Sequence, residues 1–169
     1  MYSTLARHVL YPALDLVRGM RTMRYLREFE RTQYLDRIQL EKLQKKKLHA
    51  LLGYAYESVS YYHYLFKERG LRPSDIRELD DLVKLPMLTK EGIRRNLPDR
   101  ILSQSLPRAQ LHPYVSGGST GEPLQFFRTK KEIYAGMAAH WRSYEWCGLN
   151  VGDKLAILWG QLPDLEEQA

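Results

Sequence analysis

The sequence predicts an α/β fold, on three observations. Leu5, Val9, Leu10, Leu14 and Val17 recur at helical spacing near the start, and Leu48, Leu52, Ala55 and Val59 repeat that spacing further on. Two short segments with strand character, Tyr114-Val115 and Leu124 to Phe127, flank a run of glycines and hydroxyl residues. After another helical stretch, Leu155-Ala156-Ile157-Leu158-Trp159 is apolar throughout, as a buried parallel strand requires. Helices leading into strand, loop, strand, helix and strand make an α/β order whose sheet is incomplete within these residues.

The first helix is expected from Leu5 to Val17, broken at Pro12. Arg18, Arg21, Arg24, Arg27 and Arg31 then follow at three- to four-residue steps, which predicts a basic stripe on one helix face. Two readings of this segment stand: a contact with a membrane surface, or a stem helix folded back on the rest of the chain, the latter preferred. A longer helix is expected from about Asp36 to Ser58, with Lys45, Lys46 and Lys47 in solvent. The aromatic run from Val59 to Phe66 is read as filling the core, because no repeated basic-aromatic alternation accompanies it, as base stacking would need. Pro86 stops a short helix before it, and Thr89 caps the next, from Lys90 toward Asn96. The stretch from Pro98 to Pro113 is irregular. Thr129 and Glu132 form a capping box opening a helix that runs through Ile133, Met137, Trp141 and Tyr144 to a stop near Gly148.

Ser116-Gly117-Gly118-Ser119-Thr120-Gly121-Glu122-Pro123 carries the chemistry. Glycines free to take positive φ let backbone N–H groups and the Ser and Thr hydroxyls converge on an anion, most simply a phosphate chain. A Walker A loop would need Gly-Lys-Ser/Thr opening a helix, whereas here Glu122-Pro123 and a strand follow. Gly117-Gly118-Ser119-Thr120-Gly121 also matches the Gly-x-Ser-x-Gly string of serine hydrolases, but that elbow turns from strand to helix. A hairpin loop is therefore preferred, with a hydrolase as the remote alternative.

These residues resemble the phosphate loop of the adenylate-forming (AMP-binding) enzymes, Ser/Thr-Ser-Gly-Ser/Thr-Thr-Gly-x-Pro-Lys. Asp81-Leu82-Val83-Lys84-Leu85-Pro86-Met87-Leu88-Thr89-Lys90 is similar to the segment preceding that loop in the phenylacetate-CoA-ligase-like branch, which includes capsular polysaccharide biosynthesis proteins. Gly117 stands where Ser is commoner and Leu124 where Lys is usual, so Arg128, Lys130 or Lys131 would have to neutralise phosphate charge. The resemblance implies that Ser116, Gly117, Gly118, Ser119, Thr120 and Gly121 hold ATP, with magnesium, in an enzyme that activates a carboxylic acid as an acyl-adenylate and passes it to coenzyme A or another acceptor. It divides the chain into a basic helical stem, residues 1–34, and part of the AMP-binding domain, residues 35–169. The acid that helps hold magnesium, the aspartate that grips the ribose and the lysine of the small C-terminal domain lie further along in the resembled enzymes. These 169 residues alone are thus expected to be inactive, and the other reading is a truncated, noncatalytic phosphate-binding or interaction module. No catalytic residue is assigned.

Composition narrows the remainder. With 169 residues, 44% of them hydrophobic, the chain is long enough for a single buried core. Its net charge of +6 is concentrated early: residues 1–60 hold eleven Lys/Arg against six Asp/Glu, and the remainder fifteen against fourteen. A nucleic-acid partner is not expected. The histidines at 8, 49, 63, 112 and 140 show no ligand spacing, so no metal site is expected. Cys147, the sole cysteine, is read as buried filler and points to a reducing cytoplasm. No run approaches the ~18 uncharged residues of a membrane span, and Asp15 with the arginines argues against a signal peptide, leaving a cytoplasmic location, peripheral to the membrane if the basic helix binds it.

Overall fold

The computed structural model describes residues 2–116 and 122–156. Its N-terminal helix is continuous: α1 (Tyr2–Leu5), a π-helical turn (Ala6–Leu10) and α2 (Tyr11–Val17) follow without interruption. The break expected at Pro12 does not occur. The wider turn before Pro12, in which the Tyr11 N–H reaches the Ala6 carbonyl, gives the ring room where a four-residue repeat would drive it into a backbone carbonyl. The chain then turns at Gly19 (φ 62°), where Asp15 accepts a bond from the Met23 N–H at 2.6 Å, and enters α3 (Thr22–Thr32). That turn also divides the expected basic stripe. Arg24, Arg27 and Arg31 lie on α3, whereas Arg18 and Arg21 belong to the connection.

Helix α4 (Arg37–Ser58) begins where the Asp36 carboxylate accepts from the Gln39 N–H, and α5 (Ser60–Glu68) follows after the single extended residue Val59. Short 3-10 turns at Pro73–Asp75 and Leu79–Lys84 lead past Pro86 to α6 (Lys90–Asn96), capped by Thr89 as expected. A third 3-10 turn, Arg108–Gln110, precedes β1 (His112–Val115), which pairs antiparallel with β2 (Gln125–Arg128) in the register His112 with Arg128 and Val115 with Gln125. The capping box of Thr129 and Glu132 then opens α7 (Lys130–Trp146), which ends at Cys147 and Gly148 (φ 83°).

The described residues are mostly helical, with this two-stranded sheet. Leu155 and Ala156, the start of the apolar run expected as a strand, are exposed and outside any strand; positions 157–159 lie outside the described residues. Among the described residues the buried side chains form two small clusters where a single core was expected. Met23 and Leu26 of α3 pack against Ala138 of α7 and Val151, flanked by Phe29 and Trp141. Leu52 of α4, Phe66 of α5 and Ile76 make the second, with Tyr56 meeting Phe66 edge-on at 5.7 Å. Phe66 is fully buried, as the core reading of the aromatic run requires, but Tyr64 is largely exposed and lies under the Arg100 guanidinium. Cys147 is exposed, not buried: it caps the far end of α7 beyond the apolar face that meets α3.

Candidate functional site

The hairpin β1–β2 presents the Gly/Ser/Thr-rich loop, and its neck is held twice at one residue. Ser116 donates its N–H to the Leu124 carbonyl at 2.9 Å, and its Oγ accepts the Leu124 N–H at 2.8 Å. Ser116 thus closes the loop, and its hydroxyl proton is not used in that bond. Gly117, Gly118, Ser119, Thr120 and Gly121 lie outside the described residues. Beyond them the chain enters the antiparallel strand β2, whereas the hydrolase elbow requires a helix at that point.

The far flank of the loop is tied to α6. Arg94 donates from Nη2 to the Glu122 carbonyl at 2.8 Å, and the carboxylates of Glu122 and Glu91 each lie 3.7 Å from its guanidinium. The position of Arg94 follows from its helix: the Thr89 hydroxyl accepts the Gly92 N–H at 3.0 Å, fixing the first turn, and the residue sits in the last turn facing the hairpin. Sequence reasoning did not find Arg94. Its one local signal is the Glu91–Arg94 pair at i,i+3 spacing, which any solvated helix face would also show.

Of the three cations expected to compensate for Leu124, Arg128 is already engaged. Its guanidinium lies over the Tyr114 ring, 5.3 Å from the centroid, and donates to the Glu132 carbonyl at 3.1 Å. It passes so near Gly136 that a Cβ there would stand 2.8 Å from Nη2. Lys130 and Lys131 are exposed on the first turn of α7, beside the capping box in which Thr129 N–H meets the Glu132 carboxylate at 2.7 Å. Leu124 is half-buried at the neck and Tyr114 stacks on Phe126 across the strands at 5.9 Å, so apolar contacts stiffen the base of the loop.

Behind the hairpin lies a cleft of about 640 Å³, lined by Phe127 and Thr129 together with Tyr25, Tyr54, Leu106 and Leu111. At its edge the hydroxyls of Tyr54, Ser103 and Ser105 are mutually bonded at 2.6 to 3.0 Å. Among the described residues, no three His, Cys, Asp or Glu side chains come together as a metal site, and no helix is long and apolar enough to cross a membrane.

No protein-family model matches the chain. It is similar to curated relatives: 33% identical over 124 residues to a phenylacetate-coenzyme A ligase of Escherichia coli, covering 72% of this chain and 28% of that protein. With the phenylacetate-coenzyme A ligase of Aromatoleum evansii it shares 32% identity over 123 residues, 72% of this chain and 28% of the relative. With that of Thermus thermophilus the identity is 33% over 100 residues, 59% of this chain and 22% of the relative. The chain therefore spans 22 to 28% of the length of these relatives.

Proposed function

We propose that this chain contributes the phosphate-holding hairpin and its helical support to an ATP-dependent, adenylate-forming ligase of the phenylacetate-CoA-ligase type. The observation that carries the reading is the pairing of the strands on either side: they are antiparallel and closed at Ser116 and Leu124, and the sequence between them reads Gly-Gly-Ser-Thr-Gly. The similarity to phenylacetate-coenzyme A ligases supports it at the level of the ligase class. In this reading residues 1–34 are a stem, residues 35–169 are part of the AMP-binding domain, and the enzyme works in the cytoplasm, with envelope or capsule polysaccharide synthesis as its setting.

The reaction would proceed in two displacements. A carboxylate oxygen attacks the α-phosphorus of ATP and releases pyrophosphate, and a thiol such as that of coenzyme A then attacks the acyl carbonyl and releases AMP. The contribution of Gly117, Gly118, Ser119, Thr120 and Gly121 would be donors to the phosphate oxygens, holding the leaving pyrophosphate in line. Magnesium, riding on the phosphates, would neutralise part of their charge. Arg94 would act one step removed, by fixing the carbonyl of Glu122 where the loop rejoins β2.

Orientation is worth roughly 7–11 kcal/mol of such a barrier, so a portion of the site should bind without turning over. Calorimetric titration of magnesium-ATP and of pyrophosphate into the 169-residue chain should show saturable binding that Thr120→Val weakens at least several-fold. Acid-dependent exchange of pyrophosphate into ATP should stay at background. Absence of binding by the folded chain, or binding indifferent to Thr120→Val, would overturn the reading.

A further inference from the structure

We propose that the outward face of α1 and α2 is a contact site for an anionic lipid surface. An amphipathic helix on a folded protein ordinarily buries its apolar side. Here the inward side is the polar one. Arg7 bridges Glu30 of α3 and Glu145 of α7, Tyr11 meets Trp141 edge-on at 6.3 Å, and Asp15 is buried where it caps α3. Among the described residues, the fully buried Ala6 and the half-buried Pro12, which lines a cavity with Met23 and Leu26, add small apolar contacts to that side.

The π-helical turn makes this inversion. Each of its residues advances the helix by less than an α-helical residue does, so the phase of the side chains shifts between Leu5 and Tyr11. As a result Leu5, Val9, Leu10, Ala13, Leu14, Leu16 and Val17 all face solvent, the last two at 83% exposure. A contiguous apolar strip of this kind marks an interaction surface.

Charge identifies what it would meet. Arg18 directly follows Leu16 and Val17, Arg21 lies three residues further on, Arg24, Arg27 and Arg31 continue along α3, and all five are exposed. Among residues 2–27 the one acid is Asp15, and it is buried. Nucleic acid would use the arginines and leave the leucines in water, and an apolar protein groove would use the leucines and leave the arginines idle. A bilayer of anionic lipids uses both: the leucines and valines enter the boundary of the acyl chains while the arginines meet headgroup phosphates. The stem and membrane roles of this segment are thus compatible, because opposite faces serve them, and the inference stands whether or not the hairpin holds ATP.

The test is sedimentation of the 169-residue chain with vesicles of phosphatidylcholine containing phosphatidylglycerol, against vesicles of phosphatidylcholine alone. The chain should partition to the anionic vesicles, less so as salt is raised. The double variant Leu16→Glu, Val17→Glu, whose side chains touch nothing that holds the fold, should reduce partitioning about tenfold with an unchanged circular dichroism spectrum. No partitioning to anionic vesicles overturns the proposal, as does partitioning that the double variant leaves intact. A dimer in analytical ultracentrifugation that the same variant dissolves, without vesicle binding by the parent chain, would assign the face to a second copy and also overturn it.

Discussion

Arg94 is the side chain that ties Glu122, at the far flank of the Gly/Ser/Thr-rich segment, to α6. It joins α6 to the Glu122 carbonyl across 28 residues of sequence, next to the last residue of the Gly/Ser/Thr run. A charge-assisted hydrogen bond is worth about 1.5–3 kcal/mol when sheltered and less at the partial exposure seen here. Arg94→Ala should therefore speed amide exchange at Glu122 and Leu124 several-fold while barely moving the melting transition, since neither core touches it. Unchanged exchange would mean that the contact does not restrain the loop. The contrast with Thr129 explains what the sequence could reveal. The Thr129–Glu132 capping box is complete within four residues and was legible, whereas the partner of Arg94 is set by how α6 and the hairpin come together, which no local spacing encodes. The reading of Gly117 to Gly121 rests in the same local way on composition alone, and these residues lie outside the described ones. Cys147 was misread because a cysteine late in an amphipathic helix carries no marker of which side of the terminus it falls on.

At the scale of elements, capping and periodicity reproduced α4, α6, α7 and the hairpin to within a residue or two, because each is announced by its own ends. The N-terminal helix was not, since a π-helical turn that accommodates Pro12 has no sequence signature comparable to a cap. The same turn hid which face of the helix would be buried. The connection from α5 to α6 offers a direct check of local electrostatics. Asp81 in its 3-10 turn is bonded by Lys84 and by the N–H groups of Arg77 and Glu78, which together hold its carboxyl down to about 2. Its pKa is lowered on folding, so the stabilisation it brings is present above the ordinary carboxylate value of 3.8 and is lost as pH falls through about 2. Following the Asp81 carboxyl carbon by NMR should give a midpoint near 2. A midpoint near 3.8 would mean that these bonds do not persist in solution.

For the molecule as a whole, the N-terminal helix is fastened by few contacts, and one of them can be tested by adding a single methyl group. Gly152 follows the buried Val151, takes φ 98°, and lies so close to α1 and the π-helical turn that a Cβ would stand 2.4 Å from Ala6 Cβ and 3.2 Å from Ser3 Cα. Gly152→Ala meets both a left-handed backbone and a backbone-level clash, and should cost about 1–3 kcal/mol, read as a lower denaturant midpoint with earlier protease cleavage before Thr22. A neutral effect would show that the segment is not docked as described. Glu145, which shares Arg7 with Glu30 at this junction, has its carboxyl raised by burial against the opposing pull of Arg7. Because its pKa is raised in the folded state, its contribution is largest in acid and is lost as pH rises through the folded value, the opposite of Asp81.

Amide hydrogen exchange resolved along the chain, with and without magnesium-ATP, tests the proposal that the hairpin at 112–128 holds the phosphates of ATP. Slower exchange is expected from Val115 through Leu124 on adding nucleotide, reproduced by pyrophosphate, diminished in Thr120→Val, and absent from the cleft lined by Tyr54 and Leu106. Exchange in that segment that is indifferent to nucleotide while the chain stays folded, or protection confined to the cleft, would contradict it.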